Sequence, residues 1–437
     1  MSFVPIYVLI LGFTIVVDYY AGIFIEKTKD FKKRKLLLLC SLLANIGVLV
    51  LFKYYNFINT NISLLFNNFN ARNPVPFLNI LLPIGLSFHT FQAMSYTIEV
   101  YRGNQKAEKH FGIYSLYVMF YTQLVAGPIE RPQNILHQMH EEHNFSYTNI
   151  SAGLKQMLWG LFKKMVVADR LSIYVNTVFN NAEAHNGTSI AIACVFFSIQ
   201  IYCDFSGYSD IAIGSARTMG FDLMINFRQP YFAKSINEFW SRWHISLSTW
   251  FRDYVYIPLG GNRVSKLKLY RNLLIVFLIS GIWHGANYTF IIWGALHAFY
   301  TIVGLLITPY TKDIHLKLHI SKRITDTVRI IFIFMLVTFA WIFFRASSMG
   351  NAITIIHNLR SFGQSPFRNS TITTFGDCML AIALLFAIEY RKEYFPGKLN
   401  FFYHPNLTVR WGAIMTMVVV VLLFGVFSGG QFIYFQF

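Results

Sequence analysis

Residues 3–25 form an apolar run long enough to cross about 30 Å of hydrocarbon as a helix. Comparable runs recur at 36–55, 77–100, 111–127, 153–178, 188–203, 205–225, 272–308, 330–344, 375–389 and 409–427. Inside a bilayer every backbone N–H and C=O must be satisfied within the protein, which leaves helices as the form such runs take. The expected fold is therefore all-α: a polytopic integral membrane protein with about ten to eleven membrane-embedded helices. Only 13% of the residues are charged, where a soluble domain carries about a quarter. The net charge of +17 does not indicate nucleic acid, because the basic residues sit in short clusters between the apolar runs, the pattern of positive-inside topology. The first run is too long for a signal-peptide core and lacks a small-residue cleavage site, so it is expected to be retained. Cys40, Cys194, Cys203 and Cys378 lie in or beside apolar runs and are expected to be core residues, without disulfides. No internal repeat, low-complexity linker or second soluble domain is visible, and residues 1–437 are expected to form one membrane-embedded domain.

The charge clusters assign sides. Lys27, Lys29, Lys32, Lys33, Arg34 and Lys35 place the end of the first run in the cytoplasm and the N-terminus outside. The second run crosses back, the Asn-rich stretch 56–76 is expected as an outside loop, and the tail 428–437 as outside. Two runs are not simple spans. Residues 159–170 mix Lys163, Lys164, Asp169 and Arg170 with apolar positions at helical spacing, which predicts an interfacial helix. Residues 201–214 carry Asp204, Ser206, Ser209 and Asp210, costly against lipid, so they must face protein or a water-filled cavity. Between Arg217 and Arg271 stand nine basic residues against three acidic ones, which predicts the cytoplasmic side, with Trp240, Trp243 and Trp250 at headgroup level around His244.

The stretch 280–300, SGIWHGANYTFIIWGALHAFY, carries His284 and His297 inside an apolar run. An ionisable side chain in a membrane marks a functional site by default; the bland alternative is a hydrogen bond to a neighbouring helix. Basic residues bracket 272–308, so both ends should be cytoplasmic. These 37 residues then predict a re-entrant hairpin with its turn near 285–288. His284 would sit deep, close to the turn, and His297 nearer the cytoplasm by roughly 10 Å. One spanning helix followed by an interfacial helix would break this reading.

FKYYNF (52–57), LPIGLSFHTFQAMSYTIEVYRG (82–103), LVAGPIERP (124–132), WGLFKKMVVADRL (159–171), QIYCDFSGYSDIAIG (200–214), EFWSRWHISLSTWFRDYVYIPLGGNR (238–263) and GIWHGANYTFIIWGALHAF (281–299) together resemble the membrane-bound O-acyltransferase superfamily. They are most similar to its bacterial branch of alginate and peptidoglycan O-acetylating membrane proteins, in the same order over nearly the whole chain. The resemblance implies a helix bundle around a central funnel, thinned in the middle. Through it an acyl group would pass from a cytoplasmic thioester to an extracytoplasmic acceptor. It implies that His284 is the invariant histidine and His244 a second, frequently essential one. It also implies an extracytoplasmic partner with an esterase-like fold. The stretch 135–147 has no assigned counterpart.

Acetyl transfer from a thioester to a hydroxyl needs a base, and imidazole is suited to it near neutral pH. His284 is expected to be that base, with a covalent acyl-histidine as a variant. Asp204, Asp210 or a tyrosine could orient its other ring nitrogen. Arg242, Arg252 and Arg263 could bind the phosphates of coenzyme A, or could only fix topology. Gly260 and Gly261 fit an ordinary tight turn better than a phosphate cradle. His244 is expected at the donor entrance, or else as an interfacial anchor. Trp243, Asn287 and His297 complete the candidate substrate-binding residues. His137, His140 and His143 recur every three residues without the zincin spacing, so no metal is expected, and no bound cofactor, acetyl-CoA being a substrate. The functions left open are acetyl transfer from cytoplasmic acetyl-CoA toward a cell-envelope polysaccharide at the inner or cytoplasmic membrane, D-alanyl transfer to teichoic acid from a carrier-protein thioester, and a proton-coupled transporter with His284, Asp204 and Asp210 as relay.

Overall fold

The computed structural model describes residues 7–78, 83, 85–124, 127–311, 319–363, 366, 372–397, 401–427 and 432. Among them there is no strand. The expected outside tail 428–437, apart from Phe432, falls outside the described residues, as do Lys312 and Lys317, two of the basic residues that follow the run 272–308. Among the described residues six helices are long and apolar enough to cross a membrane: Tyr7–Lys27, Phe31–Asn68, Gly187–Thr218, Tyr288–Thr311, Lys322–Arg345 and Leu407–Phe424. The contacts divide the chain into two compact units.

The first unit comprises residues 1–150 and 215–224. It contains α1 (Tyr7–Lys27), α2 (Phe31–Leu49), α3 (Tyr55–Asn68), α4 (Leu86–Arg102), α5 (Phe111–Met119) and the single turn α6 (Pro132–Ile135). Asp30 caps α2 by accepting from the Lys32 amide, as a helix start requires. Asp18 is wholly buried in α1, where Ser41 Oγ donates to it at 2.6 Å and Asn45 Nδ2 at 2.9 Å, so α2 satisfies this buried carboxyl. The expected outside loop at 56–76 is corrected: a widened π-helical turn at Val50–Tyr54 carries α2 straight into α3, and the helix continues to Asn68. Asn56 and Asn59 do not break it because their side chains bond forward to the carbonyls of Leu78, Val75 and Pro76. The run 111–127 likewise yields only a nine-residue helix. Of the run 77–100, helix is described only from Leu86, after Gly85 in the left-handed region.

The second unit comprises residues 151–214 and 225–437. Its helices are α7 (Tyr147–Leu161, from 151 on in this unit), α8 (Asp169–Asn180), α9 (Gly187–Thr218, up to 214 in this unit), α10 (Ile236–Arg242), α11 (Ile245–Phe251), α12 (Lys266–His284), α13 (Tyr288–Thr311), α14 (Lys322–Arg345), α15 (Met349–Asn358), α16 (Ile372–Tyr394) and α17 (Leu407–Phe424). The runs 188–203 and 205–225 are one helix of 32 residues rather than two elements. Its polar positions survive because lysines of the neighbouring segment neutralise them.

That segment corrects a second expectation. Residues 159–170 do not present an exposed polar face: a π-helical turn at Phe162–Ala168 joins α7 to α8, and Lys163 is 3% exposed. Lys163 Nζ bonds Asp210 at 2.5 Å and Ser206 Oγ at 2.9 Å. Lys164 Nζ bonds Asp204 at 2.5 Å and Asp169 at 2.7 Å. Arg170 pairs with Asp377 at 2.8 Å and donates to the Phe424 carbonyl. Buried charges persist only when paired in this way. The cysteines are all free; Cys194, Cys203 and Cys378 are buried as expected, but Cys40 is exposed.

Candidate functional site

Helices α12 and α13 form an antiparallel hairpin, and its turn falls where the sequence placed it, between His284 and Tyr288. The two arms approach closely because glycines face carbonyls across the seam. A Cβ on Gly281 would stand 2.3 Å from the Phe290 oxygen, and one on Gly294 would stand 2.3 Å from that of Phe277. Asn287 closes the turn, accepting from the Thr289 amide at 3.1 Å and donating to the Ser347 carbonyl at 3.0 Å.

His284 is the last residue of α12 and is 5% exposed. Its imidazole meets the rings of Trp283, Trp293 and Phe344 at centroid distances of 4.9, 5.0 and 5.1 Å. Trp293 touches a second imidazole, that of His297, at 4.9 Å. His297 is fully buried and also packs on Trp240 at 4.9 Å, and neither of its ring nitrogens has a hydrogen-bond partner among the described residues. The two histidines that the sequence singled out thus flank one indole.

His244 sits in the bend between α10 and α11 with a left-handed backbone (φ 43°), a conformation that a non-glycine residue adopts at a cost. Two backbone bonds hold the bend: the Arg228 amide to the Arg242 carbonyl, and the Ile245 amide to the Asn226 carbonyl, both 2.9 Å. The ring is 1% exposed and packs edge-on against Phe205 of α9 at 4.5 Å. This burial disfavours the imidazolium and pushes the His244 pKa down to about 3. Trp243 and Trp250 do not face outward as anchors would: they are 2% and 4% exposed and pack inside the unit. Trp243 stacks on Phe239 and lies 5.1 Å from Trp341, whose indole is 5.8 Å from Trp293. An aromatic array therefore runs from the bend at His244 to the hairpin at His284.

Asp204 and Asp210 are engaged by Lys164 and Lys163, and Gln156 donates to Asp210 at 3.0 Å. Arg242 makes a two-point pair with Glu393 (2.8 and 2.9 Å) and bonds Glu238 at 2.7 Å. Arg252 is 59% exposed beside Asp253, and Arg263 is exposed. Gly260 and Gly261 adopt positive φ in a turn whose Leu259 and Gly261 carbonyls accept from the buried Asn272 amide. In the first unit, His137, His140 and His143 each bond elsewhere: the Gln133 carbonyl, Glu108 at 2.7 Å, and the Gln138 carbonyl.

The sequence reading missed Asn226. It is fully buried, and its Oδ1 lies 3.1 Å from His244 Nδ1 while accepting from the Ser246 amide and hydroxyl. It missed Glu389 too, a fully enclosed carboxyl that accepts a hydrogen bond from Tyr202. Both could have been flagged only as polar residues beside aromatic ones.

Comparison with known proteins agrees with the motif reading. The MBOAT, membrane-bound O-acyltransferase family, matches residues 48–349. The chain is 35% identical over 379 residues to the peptidoglycan O-acetyltransferase of Helicobacter pylori, covering 81% of this chain and 70% of that one. It is 34% identical over 415 residues to a probable alginate O-acetylase of Pseudomonas putida, covering 90% and 83%. A teichoic acid D-alanyltransferase of Bacillus subtilis is 27% identical over 282 residues, covering 61% and 69%. With its apolar helices and this match over most of its length, the chain is a multi-pass membrane enzyme, an O-acyltransferase of the membrane-bound O-acyltransferase family.

Proposed function

We propose that the protein moves an acetyl group from acetyl-CoA at the cytoplasmic face toward hydroxyls of an extracytoplasmic cell-envelope polysaccharide, handing it to a partner with an esterase-like fold. In this reading the whole chain acts as one acyltransferase domain of the inner or cytoplasmic membrane. About ten to eleven embedded helices enclose a central funnel. The observation that carries it is His284: an imidazole at the tip of a tightly sealed hairpin, walled by Trp283, Trp293 and Phe344, in a chain whose relatives are named as O-acetylating enzymes.

His284 takes the proton of the acceptor hydroxyl as its oxygen attacks the thioester carbonyl, and the departing thiolate takes that proton back from the imidazolium. His244 meets the thioester on the donor side, and Trp243 and His297 line the path of the acyl chain. Arg252 and Arg263, exposed on the turn segment, take the coenzyme A phosphates. Arg242 holds that segment through Glu238 and Glu393, Asn287 fixes the hairpin turn, and Asp204 and Asp210 keep the lysine-bearing segment in place.

Alkali-releasable acetate of the envelope polysaccharides, measured in cells lacking the protein and rescued with wild type or His284→Ala at equal membrane levels, tests the reading. Wild type should restore acetate and His284→Ala should lower it by at least about 100-fold. Full rescue by His284→Ala removes the catalytic assignment. Ester-linked D-alanine in place of acetate would move the protein to the D-alanyl branch.

A further inference from the structure

We propose that Asn226 is the positioning residue of His244: it holds the imidazole in the tautomer protonated at Nδ1 and so presents the Nε2 lone pair to the reacting group. This inference rests on the reading of His244 as a donor-side residue.

The hydrogen bonds leave little choice of tautomer. Asn226 Nδ2 donates to Ser209 Oγ of α9 at 3.2 Å, which makes Oδ1 the atom turned toward His244. Oδ1 already accepts from the Ser246 amide at 3.2 Å and the Ser246 hydroxyl at 2.9 Å, and a carboxamide oxygen can only accept. The single hydroxyl proton of Ser246 is spent on Asn226. What Ser246 Oγ offers His244 Nδ1, 3.4 Å away, is therefore also a lone pair. Nδ1 thus faces two acceptors and must carry the hydrogen.

The ring cannot escape by turning. Phe205 closes one side at 4.5 Å, Phe227 stacks at 6.3 Å, and the Ile245 amide bonded to the Asn226 carbonyl fixes the backbone. Asn226 therefore acts twice, through its backbone on the bend and through its side chain on the ring. The charged side chains on α9 and α10 are Asp204, Asp210, Arg217, Glu238 and Arg242, and the other titratable ones are Cys194, Tyr202, Cys203 and Tyr208; Asp210 is paired with Lys163. Asp204 is neutralised by Lys164, and Arg242 by Glu238 and Glu393. A neutral carboxamide at position 226 suits an imidazole that stays neutral and accepts, where a carboxylate would favour the imidazolium.

The test follows acetyl transfer from labelled acetyl-CoA to envelope polysaccharide in membrane preparations of matched protein content. It compares wild type, His244→Ala, Asn226→Ala and Asn226→Asp across pH 5 to 9. Asn226→Asp keeps every contact, since the Ser209 hydroxyl can donate to the new oxygen, and serves as the variant that folds. The expected result is a loss of about 10- to 100-fold in kcat for Asn226→Ala with KM for acetyl-CoA unchanged within about twofold. For Asn226→Asp, near wild-type activity is expected at high pH, with an added loss toward pH 5 that wild type, whose His244 stays neutral over the whole range, does not show. A wild-type pH profile for Asn226→Asp overturns the inference, as does full kcat for Asn226→Ala. If His244→Ala itself transfers acetyl at the wild-type rate, it is the donor-side reading of His244 that fails.

Discussion

Lys164 shows what a single buried charge contributes. Its ammonium sits between Asp169 and Asp204, which are 7% and 3% exposed, so Lys164→Met would strand two carboxylates in a protein interior. Removing one partner of a buried pair typically costs about 3–5 kcal/mol, and the variant should show a sharply lowered membrane level and melting temperature. Lys164→Met combined with Asp204→Leu should recover part of that loss, as measured by thermal melting in detergent. An unaltered melting temperature for the single variant would mean that the pair does not hold α9. At this scale the sequence was informative about which residues matter and poor about their partners. His284 and His297 were visible because a charge-capable ring in an apolar run is anomalous by itself. Asn226 was not, because its meaning depends on a left-handed backbone at His244, eighteen residues away, which no local pattern encodes. Lys163 and Lys164 read as an amphipathic face because periodicity carries no information on whether the polar side meets water or a carboxylate.

Between elements, the seam of α12 and α13 is the joint that places both histidines. Gly281→Leu puts a side chain where the Phe290 carbonyl already stands, so the hairpin must open. The expected outcome is acetate transfer reduced at least about tenfold, with His284 no longer protected from a histidine-modifying reagent in membranes. Wild-type transfer by this variant would show that the close approach is dispensable. The hairpin was legible because basic residues bracket a run too long for one helix and a WHGAN turn interrupts it. The continuity of α9 was not, since Asp204 and Asp210 look like breaks until Lys163 and Lys164 are brought to them. The helix through 56–68 was hidden for a related reason: asparagines mark a loop when their amides lack carbonyls to bond, and here they find them at 75–78.

Across the molecule, the all-helical, membrane-embedded character followed from run length and charge alone, while the division into two units did not, because it is a property of contacts. The first unit contains a pH-sensitive latch. Glu130 accepts from the Met224 amide at 2.5 Å, and burial raises its carboxyl from 4.5 to about 7. A raised acid pKa means that the folded state binds the proton more tightly than the unfolded one. Stability is therefore greatest below about 4.5 and declines as pH rises through about 7, by roughly 3 kcal/mol in all. The melting temperature of wild type minus that of Glu130→Gln should fall across this window, and a flat difference would exclude the latch. A last consequence comes from the continuous helix Phe31–Asn68. At 38 residues it is about 57 Å long, nearly twice the roughly 30 Å of hydrocarbon it crosses. A rod that outruns its slab must lean or overhang, and its far end carries exposed Leu64, Leu65 and Phe66, which seek the interface rather than open water. The π-helical turn at Val50–Tyr54 lies near mid-length, where a lean can be taken up as a bend. Bilayer thickness, set by the lipids of the host membrane, thereby becomes a mechanical load on this polypeptide.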